Sequence, residues 1–142
     1  MTTGKDALPA TAKGIHTILV VDDDPSIRQI MTDLLLLDGY EVTTAEDAQS
    51  ALHILEQHAV DLLITDLGLP LMDGWDLAVA ARRCHPQLGI MAISSWQGKD
   101  APNKMAEHGI DLMVWKPFRF DQIRQAIVQT AGLLAARAAD AR

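Results

Sequence analysis

The chain has 142 residues, 49% of them hydrophobic, and 12 Lys and Arg against 19 Asp and Glu leave a formal charge of −7. This length suits one domain with material for a full core, and the acidic balance excludes the basic face that nucleic-acid binding requires. Apolar runs such as Leu34 to Leu37 fall far short of the ~20 residues of a membrane-spanning helix. Residues 1–16 lack the apolar stretch of a secretory signal, so the chain is expected to stay in the cytoplasm. The single cysteine, Cys84, excludes an internal disulfide and, at helical spacing with Leu77 and Ala81, is expected to fill core.

Residues 1–15 carry Gly4, Pro9 and Gly14 with no apolar period and read as a flexible leader. Thr17-Ile18-Leu19-Val20-Val21 is a continuous β-branched run, the pattern of a strand buried on both faces. It ends on Asp22-Asp23-Asp24-Pro25, where Asp24 is placed to cap a helix with Pro25 in its first turn. Ile27, Ile30, Met31, Leu34 and Leu35 give that helix one apolar face, and Asp38-Gly39 stops it. A second strand is expected over Tyr40–Thr44, and a second helix carries Ala48, Ala51, Leu52 and Leu55. A third strand, Val60 to Thr65, runs into Asp66 and a Gly/Pro loop, and Asp73-Gly74 opens a third helix that lasts to about Cys84. Leu88–Ile93 reads as the fourth strand, followed by Ser94-Ser95-Trp96. A short fourth helix is expected within 100–108, starting late because Pro102 fits only a first turn. Asp111–Trp115 is the fifth strand, then Lys116-Pro117, then a last helix with Phe120, Ile123, Ile127, Ala131 and Leu134 on one face. Its alanine-rich end, residues 131–142, is expected to fray, which leaves 16–130 as the domain.

Five strands alternating with five helices argue for an α/β fold, a doubly wound parallel sheet with helices on both faces, in the flavodoxin-like order 2-1-3-4-5. Parallel strands bring their carboxyl ends to one edge, and the edge here receives Asp22, Asp23, Asp66, Ser94 and Lys116, each directly after an apolar run. Carboxylates packed together raise one another's pKa unless a cation intervenes. Oxygen ligands without His or Cys favour Mg²⁺, which keeps open positions for phosphoryl oxygens. A carboxylate can itself attack phosphorus to give an aspartyl-phosphate, a reaction governed by positioning and charge neutralisation.

These residues resemble the receiver domain of two-component response regulators, over roughly residues 16–130. The resemblance rests on Val20-Val21-Asp22-Asp23-Asp24, on Asp66-Leu67-Gly68-Leu69-Pro70-Leu71-Met72-Asp73-Gly74, on Ser94-Ser95 and on Lys116-Pro117-Phe118. It implies that Asp66 is the phosphoacceptor and Asp23 a direct Mg²⁺ ligand. Asp22 would act on the metal mainly through water, and the Gly68 carbonyl would be a further ligand. It implies, too, that Ser94 is the switch hydroxyl, that Lys116 pairs with the phosphoryl group, and that a cis bond before Pro117 aims that lysine. The implied donor is a sensor histidine kinase or a histidine phosphotransfer protein. Such a domain catalyses only its own phosphorylation and dephosphorylation and is not a metabolic enzyme. It would act by protein contacts, as a monomer or a phosphorylation-dependent dimer, either alone or as a receiver cut from a larger hybrid kinase.

The pattern departs from the family at Met113, where members often carry Tyr or Phe, and Trp115 next to Lys116 is expected to fill the layer between sheet and helix. The resemblance makes Gly68 and Trp96 positions that tune the phosphoryl lifetime: Gly68 holds no attacking water, and Trp96 either shields the phosphoryl group, giving slow autodephosphorylation, or is an exposed aromatic for partner binding. Trp75 is expected on the surface or rim. The five histidines lack ligating spacing, and His53 and His58 are expected to face solvent. The competing reading is a pseudo-receiver, a binding module that works without phosphorylation. A dehalogenase-type hydrolase would need Asp where Gly68 stands, and a flavin site would need a phosphate loop in place of Asp22-Asp23-Asp24-Pro25.

Overall fold

A computed structural model of the chain describes residues 11–95 and 101–140. The strands β1 (Thr17–Val21), β2 (Glu41–Ala45), β3 (Leu62–Asp66), β4 (Gly89–Ser94) and β5 (Leu112–Trp115) alternate with five helices. These are α1 (Pro25–Leu37), α2 (Ala48–Gln57), α3 (Gly74–Cys84), α4 (Ala101–His108) and α5 (Phe120–Asp140). The strands form one parallel sheet in the order β2-β1-β3-β4-β5, as expected.

The two-residue period of the strands divides the core into two layers. Ile18, Val20, Ile64, Met91 and Ile93 meet Met31, Leu34 and Leu35 of α1 and Ile123, Ala126 and Ile127 of α5. Leu19, Val21, Leu63, Ile90 and Ala92 face the other way, onto Ala48, Ala51 and Leu55 of α2 and Leu77, Ala78 and Ala81 of α3. β3 and β4, central and covered on both faces, are buried along their whole length, whereas the edge strands β2 and β5 are only partly so. Asp24, Asp47 and Asp73 cap α1, α2 and α3, their side chains accepting from Ser26 N, Ser50 N and Asp76 N. Each cap satisfies an orphan amide of a first helical turn and so sets where the chain leaves the sheet edge.

Several expectations need correction. Part of the expected leader is packed: Ala12 and Ile15 are buried in the first core layer, and Ala12 N donates to the Tyr40 hydroxyl at 2.8 Å. Residues 1–10 of the expected leader lie outside the described residues. Cys84 is exposed, because α3 ends on it and its last turn projects past the core. Trp75 is buried rather than at the rim. Trp115, at the end of the edge strand, is 44% exposed instead of filling a layer. α5 continues as helix to Asp140, and residues 141–142 of the expected frayed end lie outside the described residues. Arg137 donates to Asp111 Oδ1 and to the Leu88 carbonyl, while Arg82 of α3 donates to Asp111 Oδ2 at 3.0 Å and to the Gly109 carbonyl at 2.8 Å. This double clasp ties the last turns of α5 to the amino edge of the sheet. α4 spans Ala101–His108 among the described residues; the expected late start lies against residues 96–100, which are outside them.

Candidate functional site

The carboxyl ends of β1, β3, β4 and β5 bring the expected residues together. Hydrogen bonds between neighbouring strands continue just past the strand ends: Asp22 N donates to Ala45 O, Leu67 N to Ile93 O at 3.1 Å, and Lys116 N to Ser94 O at 2.8 Å. The backbones of Asp22, Asp66, Ser94 and Lys116 are thereby held at the ladder. Asp22, Asp23 and Asp66 each present a carboxylate oxygen within 4.8 Å of the other two. Asp22 and Asp66 are buried, and Asp23 is open to solvent.

Two of the carboxylates have defined partners. Asp66 Oδ1 accepts the Gly68 amide at 3.1 Å, and Asp66 Oδ2 lies 3.3 Å from Lys116 Nζ. The lysine reaches it from the Lys116-Pro117 corner, where the peptide bond is cis, as the resemblance implied. Asp22 Oδ1 accepts the Asp24 amide at 2.9 Å. Burial pushes the Asp22 pKa above its ordinary value, and the charges of Asp66 and Asp23 push the same way against the Asp24 amide and Lys116. Ser94 closes β4 and is 4% exposed. Gly68 sits over Asp66: a Cβ there would lie 3.8 Å from Asp66 Oδ1, so any side chain at 68 would border the carboxylate.

Two supporting contacts escaped the sequence reading. Arg28 of α1 donates to the Asp22 carbonyl at 2.6 Å, and the Thr65 hydroxyl donates to the Asp66 carbonyl at 2.9 Å. Met113 is half-buried and packs against the second core layer. Trp96, expected to shield the phosphoryl group, lies outside the described residues.

Three carboxylates facing one ammonium form an electrostatically incomplete set. Like charges this close, two of them desolvated, favour either protonation or a cation. All donors are hard oxygens, and the trio is the one acidic or His/Cys cluster of metal-binding geometry found among the described residues. Such a set suits a small hard divalent ion. The histidines are used elsewhere or exposed: His85 Nε2 pairs with Leu55 O, His108 Nδ1 with Lys104 O, and His53 and His58 face solvent. No helix among the described residues is long and apolar enough to cross a membrane.

Comparison with known proteins agrees with this geometry. The family described as "Response regulator receiver domain" matches residues 18–128. The sensor histidine kinase RcsC of Escherichia coli is 32% identical over 127 residues, which cover 86% of this chain and 13% of that protein. The transcriptional regulatory protein KdpE of Staphylococcus aureus is 34% identical over 110 residues, or 78% of this chain and 47% of the relative. The chain thus spans only a fraction of the length of these relatives. Among solved structures, the response regulator TrrA of Thermotoga maritima, in complex with Mg²⁺ and BeF, superposes with a TM-score of 0.74 at 28% identity, covering 82% of this chain and 99% of that one. A CheY-like receiver domain from Methanospirillum hungatei has a TM-score of 0.80 at 24% identity, covering 87% and 98%, a likeness of fold. The match over residues 18–128, together with the acidic trio and its lysine, shows that this chain belongs to the response regulator receiver domain family.

Proposed function

We propose that the domain accepts a phosphoryl group from a phosphohistidine onto Asp66 and signals by protein contacts. The observation that carries this reading is the setting of Asp66: a carboxylate at a strand end, bonded to Lys116 and grouped with Asp22 and Asp23. An Asp66 carboxylate oxygen would form the new O–P bond while the P–N bond of the donor breaks and the imidazole nitrogen keeps the bonding pair. Asp22, Asp23, Asp66 and the Gly68 carbonyl would hold a Mg²⁺ ion, which when bound supplies charge neutralisation for the phosphoryl oxygens. Lys116 would pair with one of those oxygens and the Ser94 hydroxyl would bond another. The Gly68 amide, already donating to Asp66 Oδ1, holds the carboxylate in place.

The donor would be a sensor histidine kinase or a histidine phosphotransfer protein, in keeping with the kinship to the receiver portion of kinases such as RcsC. The domain would work in the cytoplasm and catalyse only its own phosphorylation and dephosphorylation. Retention of the whole acidic set with Ser94 and Lys116 speaks against a pseudo-receiver, in which nothing would maintain three mutually repelling carboxylates.

Phosphoramidate, a small P–N donor, tests the chemistry. Incubation with Mg²⁺ is expected to give a phosphoryl group that hydroxylamine removes, the mark of an acyl phosphate, and Lys116→Met is expected to lower its formation by at least tenfold. A hydroxylamine-resistant adduct would contradict the assignment to a carboxylate.

A further inference from the structure

We propose that Trp75 is a positioning residue that couples the Asp66 site to α4, an inference that rests on Asp66 being the phosphoacceptor. α4 is anchored unlike the other four helices. None of its eight residues is buried, so it lacks the aliphatic knobs that lock a helix in one register against a close-packed core. Two of its side chains rest on the Trp75 indole. Lys104 Nζ lies 4.9 Å from the indole centroid, and the His108 ring stands 5.0 Å from it at 58°. Both distances fall within the reach of cation–π and tilted aromatic contacts. Lys104 and His108 are one turn apart and present a common face to the indole, and His108 Nδ1 pairs with Lys104 O at 2.7 Å. Met105, half-buried, adds the apolar contact to the layer that contains Trp75.

The other end of Trp75 is joined to the acceptor without slack. Trp75 follows Gly74, whose amide donates to Leu67 O at 3.0 Å. A Cβ at Gly74 would lie 2.3 Å from Asp66 O and 2.7 Å from Leu67 Cα, so the first residue of α3 rests directly on the acceptor's backbone. A displacement of Asp66–Leu67 therefore moves the first turn of α3, and the indole with it. Contacts set by ring orientation and a flexible lysine allow α4 to take a second position when the indole shifts. An aliphatic seam would resist that shift or break.

Hydrogen exchange of the full chain, with and without beryllofluoride and Mg²⁺, reads this coupling over residues 101–108. Acetyl phosphate loading, followed by intact mass, reports on Asp66 separately. The wild type is expected to load and to change its α4 exchange by roughly threefold or more. Trp75→Leu and Lys104→Met are expected to load equally, to exchange faster in α4 before loading, and to lose most of the response. A purely structural role for Trp75 would lower stability but leave the response intact. An α4 response equal to wild type in both variants overturns the inference, as does a wild type that loads with no response in α4. A wild type that takes no phosphoryl group overturns the acceptor reading and the coupling with it. Should Trp75→Leu fail to fold, Lys104→Met, altered outside the buried core, carries the comparison alone.

Discussion

Asp22 and Asp66 are desolvated at the ends of neighbouring strands, with Asp23 close by, and the proximity of these carboxylates has a thermodynamic consequence. The Asp22 pKa is raised, first by burial and then by Asp66 and Asp23. Between its ordinary and its raised value the folded chain holds a proton that the unfolded chain has released, so stability falls as pH rises through that window. Without divalent cations, Asp22→Asn should therefore stabilise the fold at pH 7, and the gain should shrink as pH falls and be largely gone by about pH 3, where the unfolded carboxyl is protonated as well. Urea melts in chelator at the two pH values check this, and an equal gain at both would contradict it. Added Mg²⁺ should raise the Tm of the wild type more than that of the variant, because an ion that binds only the folded state stabilises it.

Asp22, Asp23, Asp66, Ser94 and Lys116 were legible in the sequence because each polar group directly follows an apolar run, and a parallel sheet must then gather them. Arg28 was not, since its partner is a backbone carbonyl that no side-chain pattern reveals. Nor was the burial of Trp75. Its ring is covered by α4, whose own sequence lacks the apolar stripe that would announce a packed face.

At the scale of elements, the junction between β3 and α3 is a close approach of backbones beside Asp66. Gly74 is required there by contact with Asp66 O rather than by a positive φ. Gly74→Ala should destabilise the fold by about 3 kcal/mol or more, as overpacking against backbone does. Denaturant melts measure this, and a loss below about 1 kcal/mol would contradict the close approach. The far end of α5 teaches the converse. Its alanine-rich sequence suggested fraying, yet Arg137 reaches Asp111 and Leu88 O, a tertiary tie that helix propensity does not contain. Arg137→Met should cost about 1 kcal/mol and speed amide exchange over 132–140, while Asp111 keeps Arg82. Unchanged exchange there would dismiss the clasp. Cys84 shows a similar limit: its spacing from Leu77 and Ala81 pointed inward, but the helix ends on it, beyond the layer those residues fill.

For the whole molecule, the strand order and the two core layers follow from runs buried on both faces and helices with one apolar stripe each. The sheet's two edges have separate tasks. The amino edge is locked by Arg82, Asp111 and Arg137, and the carboxyl edge collects the acidic trio, Ser94 and Lys116. The central claim is that this carboxyl edge takes a phosphoryl group on Asp66 with the help of a divalent cation. Intact mass after incubation with acetyl phosphate tests it most directly, comparing Mg²⁺ with chelator and wild type with Asp66→Asn. The account predicts a single phosphoryl adduct on the wild type with Mg²⁺ and none in the other three samples. An adduct that persists in Asp66→Asn, or that forms equally in chelator, would contradict it.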